Sequence, residues 1–156
     1  DFVNKTLKII IPIVCIFVLT IIIIISLAIY NNKAENMEEY KLGNDTIKSI
    51  KTVLGKRDVK SVSKKTSKGL TTQKIEYKSD TVQDDLLEYT EYLRNGEGFE
   101  PINDMDLSII PSTIELARES EDSGQIIKIK IDYDSSVYTI TIKKEEGTFE
   151  IDENTM

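Results

Sequence analysis

Histidine does not occur in this chain, and its one cysteine, Cys15, sits inside a long apolar run near the N-terminus. The first absence removes the commonest general base, the Ser-His and Cys-His nucleophile pairings and the usual zinc donor sets. The second leaves everything beyond that run without a disulfide, as suits a domain exported by a bacterium that does not rely on them. Other catalytic signals are thin. Ser61 and Lys64 in "SVSK" have the spacing of Ser/Lys hydrolases. However, they fall in an expected exposed strand, with no Ser-Asp-Asn or Lys-Thr-Gly segment to accompany them. There is no internal repeat and no low-complexity tract.

Charge is missing altogether from residues 9–30, "IIIPIVCIFVLTIIIIISLAIY", where only Thr20 and Ser26 are hydrophilic. As a helix, these residues reach roughly 33 Å, enough to cross a hydrocarbon layer of about 30 Å. Their summed insertion free energy is roughly −5 to −9 kcal/mol. A core helix would need a polar face, and this run has none. A cleavable signal peptide is the competing reading, because Ser26-Leu27-Ala28 resembles a small-x-small cleavage site behind Lys5 and Lys8. The apolar run is longer than signal peptides use, so a retained transmembrane helix is expected, with Cys15 facing lipid. Lys5 and Lys8 on one flank, against Glu35, Glu38 and Glu39 on the other, place the N-terminus in the cytoplasm and the remainder outside. The expected organisation is a short cytoplasmic flank (1–8), a span (9–30), a polar stalk (31–44), an extracytoplasmic domain (45–151) and a tail (152–156).

The net charge of −7 conceals an asymmetry. Residues 34–78 are basic and residues 79–156 strongly acidic, so the two halves of the outer domain should face different partners. The segment "GKRDVKSVSKKTSKG" gathers Lys56, Arg57, Lys60, Lys64, Lys65 and Lys68. These six are the candidate contact residues for a polyanion, either anionic lipid headgroups or a wall polymer. A nucleic-acid partner is not expected, because no aromatics are interleaved with the cations. The plainer alternative is a solvated hairpin whose lysines protect a sheet edge from aggregation. Among the acids, Asn103, Asp104 and Asp106, or Asp132 and Asp134, supply oxygen donors of the kind calcium takes. Neither group has the EF-hand spacing, and turn formation accounts for both. No metal and no cofactor are therefore expected.

Periodicity outlines the fold. Residues 44–55 read as a short amphipathic helix capped by Asn44 or Asp45, with Ile47, Ile50, Val53 and Leu54 on one face and Gly55 as its stop. A hairpin follows, with a weak strand over 58–63, a turn at Lys68-Gly69 and a strand over 70–78. The segment "DTVQDDLLEYTEYLRNG" is the strongest soluble helix. Val82, Leu86, Tyr89 and Leu93 form its stripe, and Asn95-Gly96 closes it. A loop over 97–112 should tuck in Phe99, Ile102 and Leu107. Alternation then marks an antiparallel meander with Ile114 and Leu116, then Ile127, Ile129, Ile131 and Tyr133, then Tyr138, Ile140 and Ile142 on the buried face. A last strand is expected over 148–151. The fold class is α+β: a single N-terminal transmembrane helix followed by a small two-layer domain, its antiparallel sheet of about five strands covered on one face by helix.

That layout of apolar helix plus antiparallel sheet resembles type IV pilins in general plan. Those proteins carry Glu at the fifth position after a leading Phe, where counting from Phe2 this chain has Thr6. The composition favours a non-enzymatic binding or interaction module at the bacterial cell envelope, with an unidentified protein or polymer as partner. A small carboxylate-dependent envelope hydrolase and a pilin-like structural subunit are the alternatives.

Overall fold

The structure, a computed structural model, describes residues 2–68 and 70–149, with side chains from residue 10 onward. The expectations placed on the side chains of Lys5, Thr6 and Lys8, on Gly69 and on residues 150–156 lie outside the described residues.

Helix α1 (Phe2–Glu35) is a single unbroken helix of 34 residues. The apolar side chains from Ile10 to Tyr30 are all open to their surroundings. It is the one helix, among the described residues, long and apolar enough to cross a membrane. Its two hydroxyls are already satisfied: Thr20 Oγ1 donates to Ile16 O and Ser26 Oγ to Ile22 O, each at 2.8 Å. Neither therefore presents an unpaired donor to an apolar sheath.

Of the segment read as a polar stalk over 31–44, the first part continues α1 to Glu35 and the rest is taken up by the domain. The last turn of α1 buries Ala34, and strand β1 (Glu39–Leu42) buries Tyr40 and Leu42 completely. The helix expected from Asn44 is corrected over its first half. Asp45–Lys48 is strand β2, paired with β1 in register Leu42↔Asp45. A two-residue Gly-Asn turn joins them, with Gly43 at φ +65°, the positive value such tight hairpins need. Alternating burial of Tyr40, Leu42, Asp45 and Ile47 then outweighs the helical spacing of 47, 50, 53 and 54. Helix α2 (Ile50–Leu54) survives as a single turn, capped by Ser49 Oγ, which accepts from Thr52 N, and ended at Gly55.

Strands β3 (Asp58–Ser67) and β4 (Leu70–Lys78) make the expected hairpin, with a register shift between Val59 and Ser61. Helix α3 (Val82–Glu97) buries its stripe of Val82, Leu86, Tyr89 and Leu93. It closes at Gly98 instead of Asn95-Gly96, because Gly98 adopts the left-handed conformation. In the following loop Phe99 is fully buried and Leu107 packs partly against the core, whereas Ile102 is exposed. The loop also contributes the two-residue strand β5 (Glu100–Pro101). Strands β6 (Ser112–Glu119), β7 (Gln125–Tyr133) and β8 (Val137–Glu146) form the meander, with the expected isoleucines and tyrosines inside. Thr148 and Phe149 are not in a strand.

The main sheet has six antiparallel strands in the order β3-β4-β8-β7-β6-β5, and β1-β2 forms a separate hairpin. The described residues thus hold eight strands, not about five. The hairpin and β5 arise where the sequence reads as helix, stalk or loop. One face of the sheet packs against α3, α2 and the hairpin in a single core cluster. The other face stays polar and open, carrying Lys74, Lys130 and Lys143 exposed between threonines.

Within the core, four tyrosines satisfy their own hydroxyls. Tyr40 and Tyr77 share a hydrogen bond of 2.7 Å, and Ile50 N donates to Tyr40. Tyr89 donates to Lys48 O, and Tyr77 stacks on Tyr138 at 5.4 Å. Burial pushes the Tyr40 phenol up to about 12 and raises Tyr77, Tyr89 and Tyr138 as well, so all four stay neutral hydrogen-bonding groups.

Candidate functional site

Strand register divides the basic segment. Arg57 sends Nε and Nη2 to the two oxygens of Asp85, both at 2.8 Å, at the start of α3. Asp85 is almost wholly buried and also accepts from Ser79 and Thr81. Burial alone would raise the Asp85 pKa, but Arg57 and these hydroxyls outweigh it and hold the carboxyl below its ordinary value. Arg57 is therefore committed to the fold. Lys56 pairs with Glu35 and Lys60 with Glu76, each at 2.9 Å. Lys64 faces the same side as its partner Gln73, whereas Lys65 faces the outer side with Thr72. Lys65 and Lys68 are exposed and make no ion pair among the described residues.

Other candidates are separated or used in turns. Ser61 lies opposite Glu76 and Lys64 opposite Gln73, so the two point to opposite faces of β3 and do not meet. Asp106 accepts from the N and Oγ of Ser108, and Asp134 from Ser136 N and Val137 N. These are side-chain-capped turns, and the bonds hold both carboxyls below their ordinary pKa. Asn103 ties the loop to Thr113 O and Glu115 N, while Asp132 accepts from Thr113 Oγ1. Among the described residues no group of three or more acidic or cysteine side chains is placed to hold a metal.

Three functional-looking side chains escaped the sequence reading: Lys144, Asp85 and Gln73. Lys144 is buried beneath the β1-β2 hairpin, where it meets Asp45 at 2.8 Å, Asp122 and the carbonyl of Leu42. Asp45, fully buried, also accepts from Ser120 Oγ and Glu121 N. Both Lys144 and Asp85 were readable: Lys144 continues the alternation 138, 140, 142, and Asp85 lies three residues after Val82 on the buried stripe. The third is Gln73, on the inner face with Ile75 and Tyr77. Its Nε2 reaches only the Met37 sulfur, and its buried Oε1 has no partner.

Gln73 lines a cleft of about 320 Å³ where α1 meets the sheet. Tyr30, Ala34, Met37 and Val62 supply mostly apolar walls, and Lys33, Lys41 and Lys64 bring cationic ends. The helix holds Lys33 at this level because Asn31 Nδ2 donates to Lys60 O and Lys56 pairs with Glu35. Lys64 reaches back toward Lys41 O on β1. Glu39, the one carboxylate of the lining, is bound to Lys48. An apolar pocket with converging cations and an unpartnered amide oxygen is suited to an amphiphilic anion.

These features define a class: a helix of membrane-spanning length joined directly to a small antiparallel α+β domain, consistent with a membrane-proximal module. No family model, no curated protein and no solved structure matches the chain.

Proposed function

We propose that this chain is a single-pass membrane protein whose α+β domain acts as a non-enzymatic binding module on the outer side of a bacterial envelope. The observation that carries the reading is the docking of α1's last turn on the domain. Ala34 is buried, Asn31 bonds to β3, and only residues 36–38 separate the helix from β1. A domain attached in this way sits at the bilayer surface, where the basic strand β3 meets anionic headgroups or wall polymer and the open sheet face meets a partner. The carboxylates best placed for acid-base chemistry, Asp45 and Asp85, are held by Lys144 and Arg57, which favours binding over hydrolysis.

The test is topology in intact cells expressing the full chain. Ser63→Cys, exposed on β3, should react with a membrane-impermeant maleimide before lysis, while Cys15 stays silent. Labelling of Ser63→Cys only after lysis would reverse the orientation. Recovery of the chain in the soluble fraction would remove the anchor.

A further inference from the structure

We infer that the cleft between α1, β1 and the β3-β4 hairpin is a binding site for the headgroup of an anionic glycerophospholipid, one carrying both a phosphodiester and a hydroxyl, as phosphatidylglycerol does. The inference rests on the membrane anchoring proposed above and adds the ligand to it.

Position is the first argument. Tyr30, the last residue of the apolar run, lines the cleft. An aromatic residue with a polar end is at home at headgroup level. Lys33 follows three residues later, about 4.5 Å further along the helix axis. The cleft therefore opens where phosphates lie.

Charge is the second. Lys33, Lys41 and Lys64 come from α1, β1 and β3, and none makes an ion pair among the described residues. Three cations from three different elements converge on one small volume, while the neighbouring carboxylate, Glu39, is held by Lys48. Elsewhere on the domain, lysines usually have a nearby acid: Lys56, Lys60, Lys128, Lys130 and Lys143 are all paired.

The third argument is Gln73. It is 3% exposed and its Oε1 has no hydrogen-bond partner, a costly arrangement for a buried acceptor. It calls for a donor, which an ionised phosphodiester lacks and a glycerol hydroxyl supplies well. The apolar wall of Tyr30, Ala34, Met37 and Val62 takes the glycerol carbons. Cations for the phosphodiester and an acceptor for the hydroxyl together distinguish this headgroup from phosphocholine, which has no hydroxyl to donate.

The experiment uses the full chain in bilayers of equal phosphatidylglycerol and phosphatidylcholine. Flotation with the vesicles is scored first; failure to float overturns the anchoring reading itself. Floated protein is then released and its retained lipids are counted by native mass spectrometry. One phosphatidylglycerol per chain is expected to persist. Combining Lys33→Gln, Lys41→Gln and Lys64→Gln should lower its retention about 100-fold, at about fivefold per lysine. Gln73→Leu should lower the preference over phosphatidylcholine about fivefold while leaving the melting temperature unchanged or higher. Lys74→Gln and Lys130→Gln, on the open sheet face outside the cleft, serve as controls and should change retention less than twofold, by roughly the scatter expected of exposed charges. Equal retention of the two lipids would overturn the assignment, as would retention indifferent to the triple variant. Displacement by soluble poly(glycerol phosphate) would also overturn the lipid as the ligand.

Discussion

Lys144→Met removes a cation from beneath the β1-β2 hairpin while keeping much of its volume. In the native protein Lys144 Nζ meets two carboxylates and a carbonyl, with only 3% of the side chain exposed. Asp45, on the other side of the pair, is fully buried. Burial acts to raise the Asp45 pKa, and the bonds from Lys144, Ser120 and Glu121 N more than reverse it. Without Lys144 the burial effect loses its largest counterweight, and a buried carboxylate is left with Ser120, Glu121 N and a distant Arg118 at 3.4 Å. Breaking a buried pair from one side costs about 3–5 kcal/mol, a fall in melting temperature of roughly 15–25 °C for a domain of this size. The sign with pH follows. In the native protein the depressed Asp45 stabilises above its unfolded value near 4, and that stabilisation is lost as pH falls through the lower folded pKa. In the variant the folded pKa moves up toward or past the unfolded one, so acid removes less of its stability. The difference between the two proteins should therefore be largest at pH 7 and shrink toward pH 3. Adding Asp45→Asn to the variant should recover about 1–2 kcal/mol at pH 7. Thermal melts followed by circular dichroism in detergent measure all three. A Lys144→Met melting temperature within about 5 °C of the native one, or a difference that grows in acid, would refute the reasoning.

Ile131→Asp places a charge on the fully buried face of β7 and should abolish the cooperative melt, since its cost of about 4 kcal/mol or more consumes most of a small domain's stability. Arg57→Ala strands the Asp85 carboxylate and should destabilise by about 3 kcal/mol in urea unfolding, again less at acid pH. A fragment of residues 31–156 should unfold cooperatively, whereas 44–156 lacks β1 with its buried Tyr40 and Leu42 and should lose at least about 3 kcal/mol in the same assay. Neutralising Lys60, Lys65 and Lys68 together should weaken salt-sensitive binding of the domain to anionic vesicles; unchanged sedimentation with the vesicles would remove β3 as a polyanion contact.

What was legible in the sequence was whatever repeats. The uncharged run of 22 residues, the α3 stripe and the alternating isoleucines of β7 each offer several independent positions that agree, so their type is secure. Asp45–Lys48 misled because four residues are too few to separate period two from period 3.6. The Gly43-Asn44 turn signal was there, but it competed with an equally good helix cap. The stalk misled for a different reason: Tyr40 and Leu42 are only two apolar residues among charges, and their partners are Tyr77 and Lys144, far along the chain. The cleft depends on three lysines separated by up to 31 positions and on a glutamine that resembles any polar strand residue, so only the folded arrangement brings them together.

Only Asn36, Met37 and Glu38 lie between α1 and β1, and Met37 N is bonded back to Ala34 O, so the junction is short and tied. With α1 in a bilayer, as proposed above, such a junction would make the sheet lean with the helix. A change in hydrocarbon thickness, which helices answer by tilting around a mean of about 20°, would therefore be displayed as a change in which strands of the outer face stand furthest from the bilayer.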